Sequence, residues 1–414
     1  MKLTLRQQLA QFAHVLQSQL FPALEEATGE LDDTACRLVA VLETIPLARF
    51  VPAARGWIGR PSKDRLAIAC AFVAKAVYGF SLTRQLLERL QQDAQLRRIC
   101  GWEHAHQVPH ESTFSRAFAE FAAMELPQFV HEALIATTQK ERLIGHIARD
   151  STAIEARERF PETPGNTQSK SKQRADAERK RARQQARLQA MEAQKKAAPT
   201  GKRGPYGPNK RHPGGKPKYT PPSDTRLHRQ RSMRLPEMLA ELPRHCSIGV
   251  KTKDNGNQQY WRGYKLHLDV ADGQIPISAI LTAAALHDSQ VAIPLATMTA
   301  QRVTNLYDVM DAGYDATEIY EHSRSLGHVP IIRPVRRRQK AIPFSETPKC
   351  EAREMTWAEQ DRFRERTMVE RVNARLKDEF GGRQIRVRGA SKIMAHLMFG
   401  VLALTADQIL KLVS

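Results

Sequence analysis

The order of short apolar runs and helix-forming runs after residue 140 limits what this chain can fold into. LIGHIARD, residues 143–150, is short, apolar and β-branched, and reads as a buried strand delivering a carboxylate, Asp150, at its C-terminal end. Taken alone, Asp150 would equally read as a residue capping a turn. After a long interruption the pattern resumes at Gly263. YKLHLDVA and IPISAILTAA are two strands joined at Asp272-Gly273, a hairpin-type dipeptide. His287-Asp288-Ser289 opens a helix with Asp288 as the natural N-cap. NLYDVMD is the next strand and ends at Asp311; Gly313-Tyr314-Asp315 turns into the helix ATEIYEHSRSLG, which stops at Gly327, and HVPIIRP is a short strand. This order predicts an α/β domain with a mixed sheet and flanking helices.

The next element, DRFRERTMVERVNARLKDEF from Asp361 to Phe380, has no Gly or Pro and is rich in helix formers. Val369, Val372, Leu376 and Phe380 make an apolar seam facing a core. Phe363, Arg366, Glu370 and Lys377 are spaced 3, 4 and 7 apart, and so share another face. As a solvated face this would be an Arg366–Glu370 ion pair worth a few tenths of a kcal/mol.

The spacing resembles the signature helix of the DDE transposases of bacterial insertion sequences, which runs Tyr, two residues, Arg, three residues, Glu, six residues, Lys. Here it runs Phe363, Arg366, Glu370, Lys377, with Phe in place of Tyr. The DAGYD run from Asp311 is similar to that family's second-aspartate motif, and YWRGYKLHLDV and LTAAALHDS resemble its second strand and the turn after its third. The resemblance implies a ribonuclease-H-like fold. It implies three metal-binding carboxylates, Asp150, Asp311 and Glu370, with Arg366 and Lys377 contacting DNA phosphates. Three aspartates compete for the second place. Asp308 faces the other side of its strand, Asp315 reads as a helix cap, and Asp311 lies at the strand end as Asp150 does.

Ahead of the α/β part, residues 1–58 read as helices. Leu5, Leu9, Phe12, Val15, Leu16 and Leu20 form a stripe, and a second helix runs from Asp33 to the stop at Pro46. Residues 59–125 continue the all-α character. Ser62 is a plausible N-cap with Asp64 in the first turn; LAIACAFVAKAVYG ends at Gly79; a helix spans roughly Leu82 to Cys100; and Glu111 or Ser112 caps VPHESTFSRAFAEFAAM. Helix, turn, helix with Arg116 near the start of the last helix suits a helix-turn-helix DNA reader as well as an ordinary bundle. Landmarks from Gly59 to Phe114 look like the N-terminal domain attached to many insertion-sequence transposases. His104, His106 and His110 read as loop residues, because no matching ligands flank them.

Residues 158–245 interrupt the catalytic part, which is expected at 140–157 plus 246–405. From Ser169 to Lys218 there are 16 Lys or Arg against 3 acids, so +13 of the chain's net +20 lies in this insertion. It reads as a solvated or binding-coupled helix followed by a Pro/Gly-rich basic linker holding Tyr206 and Tyr219. Such a charge balance points to a polyanion, with DNA the default partner. Arg383, Arg386, Arg388 and Lys392 extend the basic surface after the signature helix. The five cysteines are scattered and odd in number, which argues against a disulfide framework or zinc site. No run of 18 or more apolar residues and no signal core appear, so the chain is expected in the cytoplasm, at the nucleoid.

Three carboxylates of this kind suit two divalent ions, Mg²⁺ or Mn²⁺, because hard cations take oxygen ligands and phosphodiester cleavage needs charge neutralised at the scissile group. The expected function is cleavage of terminal inverted repeats and 3′-OH strand transfer, by a protein that is a dimer or larger when synapsed. A DNA-binding protein that no longer cuts, or a nuclease that never joins strands, are the alternatives. A gel shift paired with a cleavage assay separates them.

Overall fold

A computed structural model describes residues 11–12, 14–51, 63–158, 225–252, 257–334 and 355–412. Residues 1–10, Ser62, Cys350 and the basic insertion up to residue 224 lie outside them, and with them the start of the first apolar stripe and the linker tyrosines.

The N-terminal part is helical throughout. A helical segment leads through a π turn, Leu16–Leu20, into α1 (Phe21–Thr28) and α2 (Asp33–Thr44). Asp32 caps α2 by accepting from the Ala35 amide at 2.6 Å. In α3 (Arg65–Val77), Asp64 is the cap itself, not a first-turn residue: its carboxylate accepts from Leu66 and Ala67. The helix expected from Leu82 to Cys100 is two, α4 (Thr83–Gln92) and α5 (Ala94–Ile99). Asp93 leaves helical geometry and caps the second through the Leu96 amide. Short acidic side chains compete for backbone donors, which is why Asp breaks the run there. His110, rather than Glu111 or Ser112, caps α6 (Glu111–Ala123). Phe114, Phe118 and Phe121 of α6 face inward as their spacing predicts. After α7 (Leu126–Thr138) the sheet begins.

Among the described residues the sheet has six strands: β1 (Leu143–Glu155), β2 (Ser247–Thr252), β3 (Gln258–Ala271), β4 (Ile275–Ala283), β5 (Thr304–Met310) and β6 (Val329–Ile332). Their order is β2-β3-β1-β5-β6, with β4 also paired to β3. The β1–β5 and β5–β6 pairs are parallel and the other pairs antiparallel, so the sheet is mixed as expected. Two features differ from the expectation. β1 runs on past Asp150 to Glu155, because its pairing with β3 continues there after its pairing with β5 has stopped. β3 begins at Gln258, not Gly263, and pairs with β2, a strand whose Gly and Lys weaken its pattern. Two short helices, α8 (Arg226–Gln230) and α9 (Leu235–Glu241), precede β2. At Gly263 the sheet needs glycine. The backbone has φ +151°, and a Cβ would stand 2.0 Å from the Ile154 carbonyl oxygen, inside the β1–β3 pairing.

One face of the sheet carries α10 (Ser289–Ala300), on which α8, α9 and α11 (Thr317–Ser325) pack. Towards the C-terminus come α12 (Trp357–Phe363), a 3₁₀ turn at Arg364–Arg366, α13 (Thr367–Asp378) and α14 (Ala390–Lys411). The 3₁₀ turn divides the helix expected to be continuous from Asp361. The apolar seam holds: Val369, Val372 and Leu376 are fully buried and Phe380 nearly so, with α13 against β1 and β3. α14 is long and apolar enough to cross a membrane, but it is packed as core against α2, α3, α6, α7 and β4. It joins the N-terminal helices and the sheet in one apolar cluster. At its end Asp407 accepts from Arg37 at 2.6 Å and Arg375 at 2.7 Å, a polar tie between α2, α13 and α14.

Candidate active site

Asp150 and Asp311 come from neighbouring parallel strands. Arg149 of β1 is in register with Met310 of β5, and each is followed by an aspartate. Neighbouring strands lie about 4.8 Å apart, so the two residues flank one another where β1 and β5 diverge. Asp311 begins a 3₁₀ turn, Ala312–Tyr314, and its Oδ1 accepts from the Gly313 amide at 2.9 Å. A Cβ at Gly313 would sit 3.0 Å from that oxygen, so the glycine of DAGYD allows the carboxylate to fold over the turn. The competing aspartates are placed otherwise. Asp308 is buried and accepts from Asn305 at 3.1 Å, from the Ser323 hydroxyl, and stands 3.2 Å from His328 Nδ1. Asp315 precedes Ala316, which holds the N-cap position of α11, so it is not that helix's cap.

The electrostatics set the two site aspartates apart. Burial pushes the Asp150 carboxyl up to about 7; the charges of Asp311 and Asp288 add to this, while the Ser151 amide and Arg366 act against it. Asp311 is raised too, by burial first and then by Asp288, against the Gly313 amide, Arg366 and His287. Tyr314 is buried beside them, its hydroxyl without a partner among the described residues.

Glu370 lies in the first turn of α13 and its Oε1 accepts from Arg366 Nη1 at 2.6 Å. Arg366 therefore holds the third carboxylate while lying within electrostatic reach of the first two. Its guanidinium carbon lies 5.6 Å from the centre of the Phe363 ring. Among the described residues no three acids, histidines or cysteines stand close enough to hold an ion as they are, and Glu370 is turned onto Arg366. The donor set nonetheless fits a divalent cation. It is all oxygen, and burial with mutual repulsion leaves Asp150 and Asp311 short of positive charge.

The sequence reading missed Asp288 as a member of this group. It occupies the N-cap position of α10 but makes no capping bond. Its Oδ1 accepts instead from Lys265 Nζ at 2.8 Å, and the Ser151 side chain hydrogen-bonds it. Burial would raise its carboxyl, yet His267, Lys265 and Ser151 hold it below the ordinary range, so it stays charged beside Asp150 and Asp311. The signal was present as Lys265 and Ser151, each two residues or fewer from a motif, but only strand register joins them.

The remaining residues named from the sequence are on the outside. Arg383 is exposed and paired with Asp378; Arg386 and Arg388 are exposed; Arg116 is exposed on α6, its Nε donating to the Ser112 carbonyl at 3.2 Å. Lys377 is half-buried two turns beyond Glu370. His104 and His106 stack on each other in a loop, and Cys36, Cys70, Cys100 and Cys246 are free thiols.

Two family models match the chain, and together they cover more than half of it. The one described as the transposase DDE domain matches residues 237–406, and one described as a transposase domain matches residues 26–120. These matches indicate a DDE transposase of insertion-sequence type. No curated protein and no solved structure matches it. The DDE match takes in Asp288, Asp311 and Glu370, while Asp150 lies before it, on the far side of the insertion. With the family come the ribonuclease-H-like character of the mixed sheet, a DNA-cleaving enzyme class, DNA as substrate and a general use of divalent ions.

Proposed function

We propose that this transposase binds the terminal inverted repeats of its own element, cuts the DNA at the element ends and joins the 3′-OH to target DNA. The observation that carries the reading is the placement of Asp150 beside Asp311, with Arg366 in electrostatic reach of both and hydrogen-bonded to Glu370. Asp150, Asp311 and Glu370 are the residues that would hold the cations. When bound, two Mg²⁺ or Mn²⁺ ions would supply the charge that activates a water or 3′-OH and stabilises the leaving oxygen.

The chain's own groups do the rest. Lys265 and Ser151 keep the Asp288 carboxylate ionised against the aspartate pair, which deepens the negative potential there. Arg366 orients Glu370 and leaves its second oxygen without a partner among the described residues. The Phe363 ring supports Arg366, so phenylalanine retains the packing part of the signature tyrosine's role. Arg366, Lys377, Arg383, Arg386, Arg388 and, from the helical region 59–125, Arg116 would contact backbone phosphates. The basic insertion at 158–245 would add sequence-independent affinity, and the catalytic part would be 140–157 with 246–405. The protein would work at the nucleoid as a dimer or larger assembly.

The test is Mg²⁺-dependent nicking of DNA carrying the element's ends. Asp150→Ala, Asp311→Ala and Glu370→Ala should each lower cleavage by on the order of a thousandfold while binding persists. Intact cleavage in all three would end the proposal.

A further inference from the structure

A second polar site lies away from the carboxylates. A cavity of about 300 Å³ opens between the end of α13 and the turn joining α3 to α4. Ser81 and Gln85 line it on the helical side; Lys377, Asp378, Arg383 and Gln384 line it on the other. The two walls touch. Gly79 has φ +65°, and a Cβ there would be 3.5 Å from the Glu379 carbonyl oxygen. Lys75 fixes the turn from below, its Nζ donating to the Ser81 carbonyl at 3.3 Å.

The lining is rich in donors whose acceptor side is already engaged. Gln85 Oε1 accepts from the Leu82 amide at 3.0 Å and the Ser81 hydroxyl at 3.1 Å, which orients the carboxamide and leaves its Nε2 without a partner among the described residues. Gln384 Oε1 accepts from Arg386 at 3.4 Å. Lys377 is half-buried and has no hydrogen bond or ion pair among the described residues. Burial holds its pKa below the usual lysine range. The Arg383 and Lys251 charges add to that, and Glu155 and Asp378 act against it. Asp378 is the one carboxylate lining the cavity among the described residues, and Arg383 is paired with it. A half-buried ammonium with no ion-pair or hydrogen-bond partner among the described residues, lining the same cavity as oriented amide donors, is a site for an anion.

We propose that this cavity seats one phosphate of the DNA backbone, gripped between the Ser81–Gln85 turn and Lys377, so that the helical region shares one DNA strand with the signature helix. This rests on the reading of the chain as a DNA-handling transposase, and it goes further by giving the α3–α4 turn a direct contact.

The test uses the full chain, a fluorescein-labelled mixed-sequence duplex and anisotropy at rising KCl. Gln85→Glu keeps the Oε1 that holds the turn and adds a negative charge facing Lys377. It should weaken binding about tenfold and flatten the dependence of log affinity on log salt by about one, with the melting temperature unchanged. Lys377→Ala should do the same, and the double variant should lose little more than either alone, because both remove one contact. If Lys377→Ala weakens binding and Gln85→Glu leaves both affinity and slope at wild-type values, the shared phosphate is wrong while the transposase reading stands. If the unaltered chain fails to bind DNA, it is the transposase reading that fails.

Discussion

The two faces of β1 carry charge in opposite states. On one face Arg149 is fully buried and answered in full: Nε and Nη2 each reach an oxygen of Asp269 at 2.7 Å, and Thr299 adds a bond to Asp269 at 2.6 Å. One residue on and across the strand, Asp150 is buried against the charges of Asp311 and Asp288, with the Ser151 amide and the reach of Arg366 set against them. Buried charge is expensive unless paired. The first face spends its polar groups on a single well-defined core, and the second leaves a deficit that a bound cation would make good. The contrast separates scaffold from candidate site without appeal to motif.

The largest effect should come from breaking the satisfied face. Arg149→Met leaves Asp269 buried without its partner and should lower unfolding free energy by roughly 3–5 kcal/mol in urea titrations. Adding Asp269→Leu should return much of that loss, and failure to do so would mean the pair is more than mutual neutralisation. The unsatisfied face should respond with the opposite sign. A carboxyl raised from 3.8 to about 7 in the folded chain is ionised at neutral pH in the unfolded state first, so it erodes stability as pH climbs from about 4 to about 7 and costs a constant amount above that. Asp150→Asn in metal-free protein should therefore stabilise at pH 8 by roughly 2–4 kcal/mol and change nothing below pH 4 through this term. A flat pH response would place Asp150 in a solvated setting. Smallest is Asp288→Asn, which removes a supporting charge: Mn²⁺ titration followed by electron paramagnetic resonance should show about tenfold weaker binding. Unchanged affinity would reduce Asp288 to a structural partner of Lys265.

What could be read in advance divides along the same line. Periodicity located β1, β4, β5 and β6, the inward Phe114, Phe118 and Phe121, and the seam from Val369 to Phe380, because those depend on neighbours along the chain. Strand alternation, the place at the strand end and the DAGYD resemblance favour Asp311 over Asp308, and Asp308 is hydrogen-bonded in the core. The misses were matters of pairing and competition. Where β1 ends is decided by β3, whose Gly263 pairs with Glu155 across 108 residues of sequence. Asp93 and His110 took caps that several nearby residues could have taken. Asp288 had a ready local use as a cap, and Lys265 and Ser151 outbid the helix for it. The Phe363–Lys377 spacing was legible, whereas the 3₁₀ turn that separates Phe363 from Glu370 was not.

β3 pairs with β1 along Gly263–Ala271, with β2 up to Gly263 and with β4 beside it, where the register shifts only between Asp269 and Val270, so three partners depend on its alignment. Lys265, His267 and Asp269 alternate along it on the side that meets Ala153, Ser151 and Arg149. Gaining or losing one amino acid between Gly263 and Asp269 would swing that whole set to the opposite side at a stroke. Drift in length should thus be confined to the connections, and a single-residue indel in this stretch is expected to abolish activity.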